Sequence, residues 1–430
     1  MTAMASSTMA TGRLSAALGA SSTMPCTTGV RRALHGLLPR AVRCLRLRCC
    51  GQGRSGTGPD QARLSSAWES ITVPLRIRTG KTRAIPGRRS ENVAGVRAMG
   101  LSSRTEVVVD DDAFADYKCS TAFLFPGQGA QSVGMGSTVG ATPEAVALFE
   151  KANEILGYNL LDICLEGPED KLNSTVISQP AIYVASLAAV EALRTSDEGQ
   201  AILNSCDVAC GLSLGEYTAL SFAGALSLCL SGGLAARLRV TWSAGLGRSA
   251  AADAAPTAMV SVIGLDKEKV RELCEVATGE AGNDNTVQIA NFLCPGNYAV
   301  SGSSKACEII EKKAKEFGAR MTVRLAVAGA FHTHYMAPAV EKLTEALSST
   351  TITAPRIPVI SNVDAKPHSD PDVIRKILAQ QVTSPVQWET TLKTLLERGM
   401  AQSYELGPGK VIAGILKRID RKIPVTNVSV

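Results

Sequence analysis

The chain has 430 residues and a formal net charge of +6, a length that fits about two to three domains. The charge is uneven: residues 1–100 hold fifteen Arg and one Lys against Asp60, Glu69 and Glu91, a net of +13, which leaves −7 on the other 330 residues. The main body therefore lacks the overall basic balance of a nucleic-acid-binding protein.

Residues 1–105 read as a leader. They are rich in Ser, Thr, Ala, Gly and Arg, poor in acids, and without sustained apolar periodicity, which is the composition of an organelle transit peptide. A disordered basic tail for nucleic acid or an anionic membrane is the alternative. A secretory signal fits less well, because the start Met1-Thr-Ala-Met-Ala lacks a basic region followed by an apolar core. Cleavage is expected between about Arg89 and Asp110. Plastid stroma is the expected destination, with the mitochondrial matrix as alternative.

Eight of the twelve cysteines lie beyond residue 100, at positions 119, 164, 206, 210, 229, 274, 294 and 307, and none forms a C-x-x-C pair. Reduced buried thiols are expected, with neither a disulfide framework nor a metal site. The uncharged stretch Tyr217 to Ala236 is broken by several Ser and Gly, so it reads as a buried helix and loop rather than a membrane span.

In chain order, the strand Thr121–Phe125 is followed by the turn Pro126-Gly-Gln-Gly129, helices through Ala141–Leu156 and Ile182–Arg194, and a short strand Val208–Cys210. Such alternation predicts a mainly parallel sheet covered on both faces. After Pro256 the texture changes. Strand Ala258–Gly264, helix Asp266–Ala277, strands Val287–Asn291 and Tyr298–Gly302, helix Ser304–Phe317 and strand Arg320–Ala326 form a β-α-β-β-α-β series, the ferredoxin-like pattern. The expected fold class is α/β: a hydrolase-like large domain (118–255 and 329–430) with a ferredoxin-like small domain (256–328) inserted in it.

Ser213 lies in Gly211-Leu-Ser-Leu-Gly215, between a predicted strand and an apolar helix from Tyr217 to Leu226. That is the layout of a nucleophile elbow, in which glycines let the backbone turn sharply and present the hydroxyl. A helix starting just after the serine also aims free N–H groups at a developing oxyanion, and Glu216 falls in its first turn, where the macrodipole favours an anion. The elbow needs a base. Only His332, His334 and His368 lie beyond the leader. His368 sits in a polar turn, where solvation suffices. His332 and His334 follow the domain junction, where clefts form, and position alone does not separate them.

Seven motifs then occur in a telling order: Phe125-Pro-Gly-Gln-Gly129, Gly211-Leu-Ser-Leu-Gly-Glu-Tyr217, Asn291 with Pro295-Gly296, Ala330-Phe-His-Thr333, Ser361-Asn-Val-Asp364, Gln381 with Pro385-Val-Gln-Trp388, and Glu405-Leu-Gly-Pro-Gly-Lys410. In this the chain resembles the malonyl-CoA:acyl-carrier-protein transacylases over nearly all of Thr121 to Val430. The resemblance implies ping-pong acyl transfer for fatty acid synthesis: Ser213 attacks the malonyl-CoA thioester, His332 serves as base and then acid, and the acyl group passes to the phosphopantetheine thiol of acyl carrier protein. It also implies that the backbone carbonyl of Gln381 orients the imidazole, and that the N–H groups of Gln128 and Leu214 form the oxyanion hole. Asn291 and Phe331 would contact substrate, Phe331 as in malonyl-selective members. No cofactor is implied. The expected partners are malonyl-CoA and holo-acyl carrier protein, with no nucleic acid and no membrane span, and the expected state is a monomer. The basic run Lys417-Arg418 with Arg421-Lys422 reads as a solvated helix end or as a surface for the acidic carrier protein.

One stretch departs from the pattern. A malonyl carboxylate suits a bidentate arginine, which the family supplies from the helix after the elbow. Here the resemblance stops sharply over residues 228–249 and returns at Ala250, the edges expected of a shifted reading frame or a mis-spliced exon. Arg237 and Arg239 flank the expected position, and Arg239 is the candidate ligand. A serine esterase and a non-catalytic binding protein are the competing readings. The first lacks an H-G-G-G-type oxyanion loop and a clear Asp partner; the second follows only if the 228–249 segment is real.

Overall fold

The computed structural model describes residues 112–226, 256–325, 327 and 329–430. The leader, residues 228–249 and with them Arg237 and Arg239 lie outside the described residues. The strands are β1 (Thr121–Phe125), β2 (Val208–Gly211), β3 (Thr257–Ile263), β4 (Val287–Cys294), β5 (Asn297–Ser303), β6 (Met321–Arg324), β7 (Val359–Ile360), β8 (Gln402–Leu406) and β9 (Val425–Val428). The helices before residue 227 are α1 (Pro143–Leu156), α2 (Leu160–Glu166), α3 (Glu169–Asn173), α4 (Thr175–Arg194), α5 (Asp197–Asn204) and α6 (Leu214–Phe222). Those after residue 255 are α7 (Lys267–Ala281), α8 (Ser304–Lys313), α9 (Ala337–Ser348), α10 (Pro371–Gln381), α11 (Trp388–Glu397) and α12 (Val411–Ile419).

β1 is the centre of a five-stranded sheet ordered β7-β2-β1-β8-β9, and every pairing in it is parallel. Side chains alternate across a strand, and β1 shows both faces buried. Phe123 and Phe125 pack with Leu220 and Phe222 on one side, while Ala122 and Leu124 pack with Trp388, Leu392 and Leu416 on the other. This is why four of its five residues, all but Thr121, are apolar without alternation. The sheet is further tied to α12 by Glu405 on β8, whose buried carboxylate accepts from the N–H groups of Ile412 and Ala413 at 2.9 Å each and from Asn427 at 2.8 Å. An anion at a helix N-terminus is well placed, so the Glu405-Leu-Gly-Pro-Gly-Lys410 motif has a structural use.

The second sheet is antiparallel, ordered β4-β5-β3-β6, with the β3-α7-β4-β5-α8-β6 succession of a ferredoxin-like unit. Its helices cover one face through Val270, Leu273, Ala306 and Ile310. From the opposite face Met259, Ala290 and Ala299 enter the same core as Phe123 and Phe331. Edge strand β4 is also stitched to the chain after α10: the Val386 N–H donates to the Ala290 carbonyl at 2.8 Å and the Phe292 N–H to the Val386 carbonyl at 3.0 Å.

Several boundaries differ from the periodicity. α4 begins at Thr175 rather than Ile182 and runs through Pro180, because burial on nearly all sides outweighs the lost hydrogen bond. It is long and apolar enough to cross a membrane, yet 72% of the relevant window is buried, against α1, α5 and α6 among others; this is the composition of a core helix. α6 stops at Phe222, short of Leu226, where Gly224 takes a positive φ of 81°. α8 stops at Lys313, short of Phe317, and β6 ends at Arg324.

Candidate active site

Three neighbouring parallel strands, β1, β2 and β7, deliver their C-terminal loops to one edge of the sheet. Gln128 follows β1, Ser213 follows β2 and Asn362 follows β7. That edge is where open α/β sheets bind ligands.

The elbow is packed too tightly for side chains at its glycines. A Cβ on Gly127 would fall inside the van der Waals radius of the Leu212 carbonyl oxygen, and one on Gly211 would collide with the backbone of Gly215. The turn after β1 thus lies directly on the elbow. Ser213 takes φ 52° and ψ −103°, a conformation an L-residue adopts only under constraint. Its N–H donates to Asn362 Oδ1 at 2.6 Å, and its carbonyl accepts from Gln381 Nε2 at 3.1 Å.

Ser213 Oγ lies 2.9 Å from Nε2 of His332. The other ring nitrogen, Nδ1, lies 2.9 Å from the backbone carbonyl of Gln381. Since that carbonyl can only accept, Nδ1 carries the proton and Nε2 is left to accept from the serine. Gln381 is the last residue of α10, so its carbonyl is one that the helix leaves without an internal partner, at the end where the dipole favours a cation. An imidazolium formed at His332 is stabilised there without a carboxylate. His332 is itself at φ 63°, with its N–H donated to Val382 O at 3.0 Å and its carbonyl accepting from Gln288 Nε2 at 3.2 Å. This arrangement can do one thing chemically: Nε2 can take the Ser213 proton as Oγ attacks an electrophilic carbonyl.

Model of the domain family described as "Acyl transferase domain" and this sequence match over residues 122–421. The chain belongs to the acyl transferase domain family. It is 41% identical over 308 residues to the human mitochondrial malonyl-CoA-acyl carrier protein transacylase, covering 70% of this chain and 77% of that one. To the Bacillus subtilis malonyl CoA-acyl carrier protein transacylase it is 37% identical over 309 residues, covering 72% and 93%. Among solved structures, the acyl-carrier-protein S-malonyltransferase of Bartonella henselae superposes with a TM-score of 0.67 at 36% identity, covering 72% of this chain and 96% of that one. A malonyl-transacylase in complex with its type II PKS acyl-carrier protein superposes with a TM-score of 0.66 at 32% identity, covering 72% and 96%.

The other expected site residues of this acyl transferase fall as follows. The Leu214 N–H opens α6, and neither it nor the Gln128 N–H donates a hydrogen bond among the described residues. The Gln128 side chain is instead engaged with α4, donating to Thr175 Oγ1 at 3.2 Å and accepting from Gln179 at 3.5 Å. Phe331 is buried next to His332. Asn291 sits on β4 opposite Val386, at a register shift, and its Oδ1 is buried without a hydrogen bond among the described residues. His334 is exposed and stacks on Tyr335 at 4.3 Å, away from Ser213. The expected solvation of His368 is corrected: its side chain is only 12% exposed and bonds Asp364 at 2.9 Å, since the Ser361–Asp364 turn folds back over it.

Two residues at the site had no catalytic role in the sequence reading. Asn362 and Glu216 are 1% and 3% exposed and bond each other, the Asn362 N–H donating to Glu216 Oε2 at 3.1 Å. Burial pushes the Glu216 carboxyl up to about 7, against the pull of hydrogen bonds from Gln381 and Asn362. Their signal was available in the Ser361-Asn-Val-Asp364 motif and in an acidic residue inside an apolar helix.

Proposed function

We propose that the protein moves malonyl from malonyl-CoA to the phosphopantetheine thiol of acyl carrier protein through a malonyl-serine intermediate, for fatty acid synthesis. The observation that carries this is the continuous chain from Ser213 Oγ to His332 Nε2 and from His332 Nδ1 to the Gln381 carbonyl, at 2.9 Å and 2.9 Å. In the first half-reaction the Ser213 proton passes to Nε2 as Oγ attacks the thioester carbonyl. The tetrahedral oxyanion is held by the Leu214 and Gln128 N–H groups. Collapse breaks the C–S bond, and the departing thiolate of coenzyme A takes the proton from the imidazolium. In the second half the carrier-protein thiol gives its proton to His332, its sulfur attacks the serine ester, and Ser213 leaves with that proton.

Phe331 next to the base supports malonyl over a branched acyl group, and Asn291 supplies a polar atom for the substrate. Arg239 remains the candidate for the malonyl carboxylate. The residues 256–328 act as a small domain inserted between 118–255 and 329–430, and the protein acts as a monomer, without a metal or cofactor. Residues 1–105 direct it to an organelle. The human, mouse and fly relatives are named as mitochondrial forms, which supports the matrix alternative over the plastid stroma; import of a fluorescent protein fused to residues 1–105 distinguishes the two.

The deciding assay mixes the purified chain with radiolabelled malonyl-CoA and holo-acyl carrier protein. Label on the carrier protein, absent with acetyl-CoA, is expected. Release of free malonate with no label on the carrier would establish the esterase reading instead. Absence of both products and of acid-stable label on Ser213 would establish a binding protein.

A further inference from the structure

One carboxylate oxygen accepts from both residues that hold the backbone of the nucleophile, from the side chain of one and the backbone N–H of the other. Glu216 Oε2 accepts from Gln381 Nε2 at 2.6 Å and from the Asn362 N–H at 3.1 Å. Those same residues reach Ser213 from opposite sides. Asn362 Oδ1 accepts the Ser213 N–H at 2.6 Å, and Gln381 Nε2 donates to the Ser213 carbonyl at 3.1 Å. Asn362 Nδ2 is anchored in turn on the Gly211 carbonyl at 2.8 Å. Gln381 also presents its backbone carbonyl to His332 Nδ1. Glu216 starts from the same turn of α6 as Ser213, its N–H donating to the Ser213 carbonyl at 3.1 Å.

We propose that Glu216 is a positioning residue that locks the nucleophile and the base to each other through this single oxygen, acting through Asn362 and Gln381. The inference rests on the acyl-transfer reading given above. Once ionised, the Glu216 carboxylate can only accept, so it then obliges Gln381 to present its amide NH2, and not its amide oxygen, toward the Ser213 carbonyl. The reversed amide would set two oxygens against each other at both ends. Gln381 is thereby held in one rotamer, and Gln381 is the residue whose carbonyl sets the imidazole. A buried acid inside an otherwise apolar core is expensive unless it is hydrogen-bonded, and both bonds to Glu216 Oε2 lead to the catalytic pair. The other titratable groups that act on it are Asp364, which raises its carboxyl, and His368, which lowers it.

The test compares wild type, Glu216→Leu, Glu216→Gln and Asn362→Ala for malonyl transfer to acyl carrier protein, with folding monitored by circular dichroism. Glu216→Leu is expected to lower kcat by about a hundredfold with KM for malonyl-CoA changed by less than about threefold. Glu216→Gln, which keeps an acceptor oxygen, recovers about a tenth of wild-type kcat or more. On the acid side its log kcat against pH is also less steep than wild type by about one proton. Asn362→Ala lowers kcat by about tenfold, and in the double variant with Glu216→Leu the two losses are less than additive because they share one path. Folded Glu216→Leu with kcat within threefold of wild type, or Glu216→Gln no more active than Glu216→Leu, would overturn the proposal. Should Glu216→Leu fail to fold, an unchanged kcat in Asn362→Ala overturns it equally. Absence of transfer by wild type would reject the acyl-transfer reading itself, so the two failures are distinct.

Discussion

Ser213 and His332 stand 119 residues apart in sequence and 2.9 Å apart in space, and both hold positive φ angles, 52° and 63°. Such backbone for a non-glycine residue costs about 1–3 kcal/mol. It persists because hydrogen bonds over-determine it on each side: Asn362 and Gln381 hold Ser213, and Val382 and Gln288 hold His332. The strain aims Oγ and Nε2 at each other.

Ser213→Ala is expected to abolish the acid-stable malonyl-enzyme seen by intact mass. His332→Ala should slow its formation by about 10²–10⁴, the usual worth of a positioned base. His334→Ala, exposed and stacked on Tyr335, should transfer malonyl at the wild-type rate. A reversal between His332 and His334 would overturn the assignment of the base.

Gly127→Ala should destabilise the protein by about 2 kcal/mol or more, because the new methyl meets the backbone carbonyl of Leu212 rather than a side chain that can move. Gly140→Ala, with open space around it, should change stability by less than about 0.5 kcal/mol. Urea unfolding midpoints compare the two.

The raised Glu216 carboxyl sets a pH dependence of stability. Its ordinary value is 4.5 and burial lifts it to about 7 in the folded protein, so between these values the native state binds the proton more tightly than the unfolded chain. Stability is therefore drained as pH rises through that window. Glu216→Gln removes the drain: the unfolding free energy of the variant relative to wild type should rise by up to about 3 kcal/mol from pH 4.5 to 7 and then level. Urea titrations at pH 5 and pH 8 measure it, and an equal offset at both would show that Glu216 does not titrate in this range.

The seven cysteines among the described residues are all buried and free. Burial pushes the thiols of Cys119, Cys164, Cys274 and Cys307 up to about 12. At pH 8 these four should alkylate with iodoacetamide slowly in the native protein and rapidly in urea, read by peptide mapping. Fast native labelling at any of them would contradict the burial seen here.

Much of the fold was legible in short runs of residues. Ala122–Phe125 and Val208–Cys210 are apolar because both faces of a parallel strand are covered, and the β-α-β-β-α-β series of the small sheet appears in period alone. The elbow was legible as well, since only glycine fits where Gly127 and Gly211 meet backbone. These are local causes, carried by neighbouring residues. Helix ends were less legible, as in α4 and α6, because tertiary burial overrides propensity. The choice between His332 and His334 rested on the family resemblance in sequence; in space a strained turn directs the His332 ring to Ser213 and leaves His334 exposed. Only the tertiary structure brought Glu216, Asn362 and Gln381 onto one oxygen. Their convergence depends on how α6, the loop after β7 and the end of α10 pack together. No local pattern encodes it, because hydrogen bonds between residues 146 and 165 positions apart leave no period in the chain.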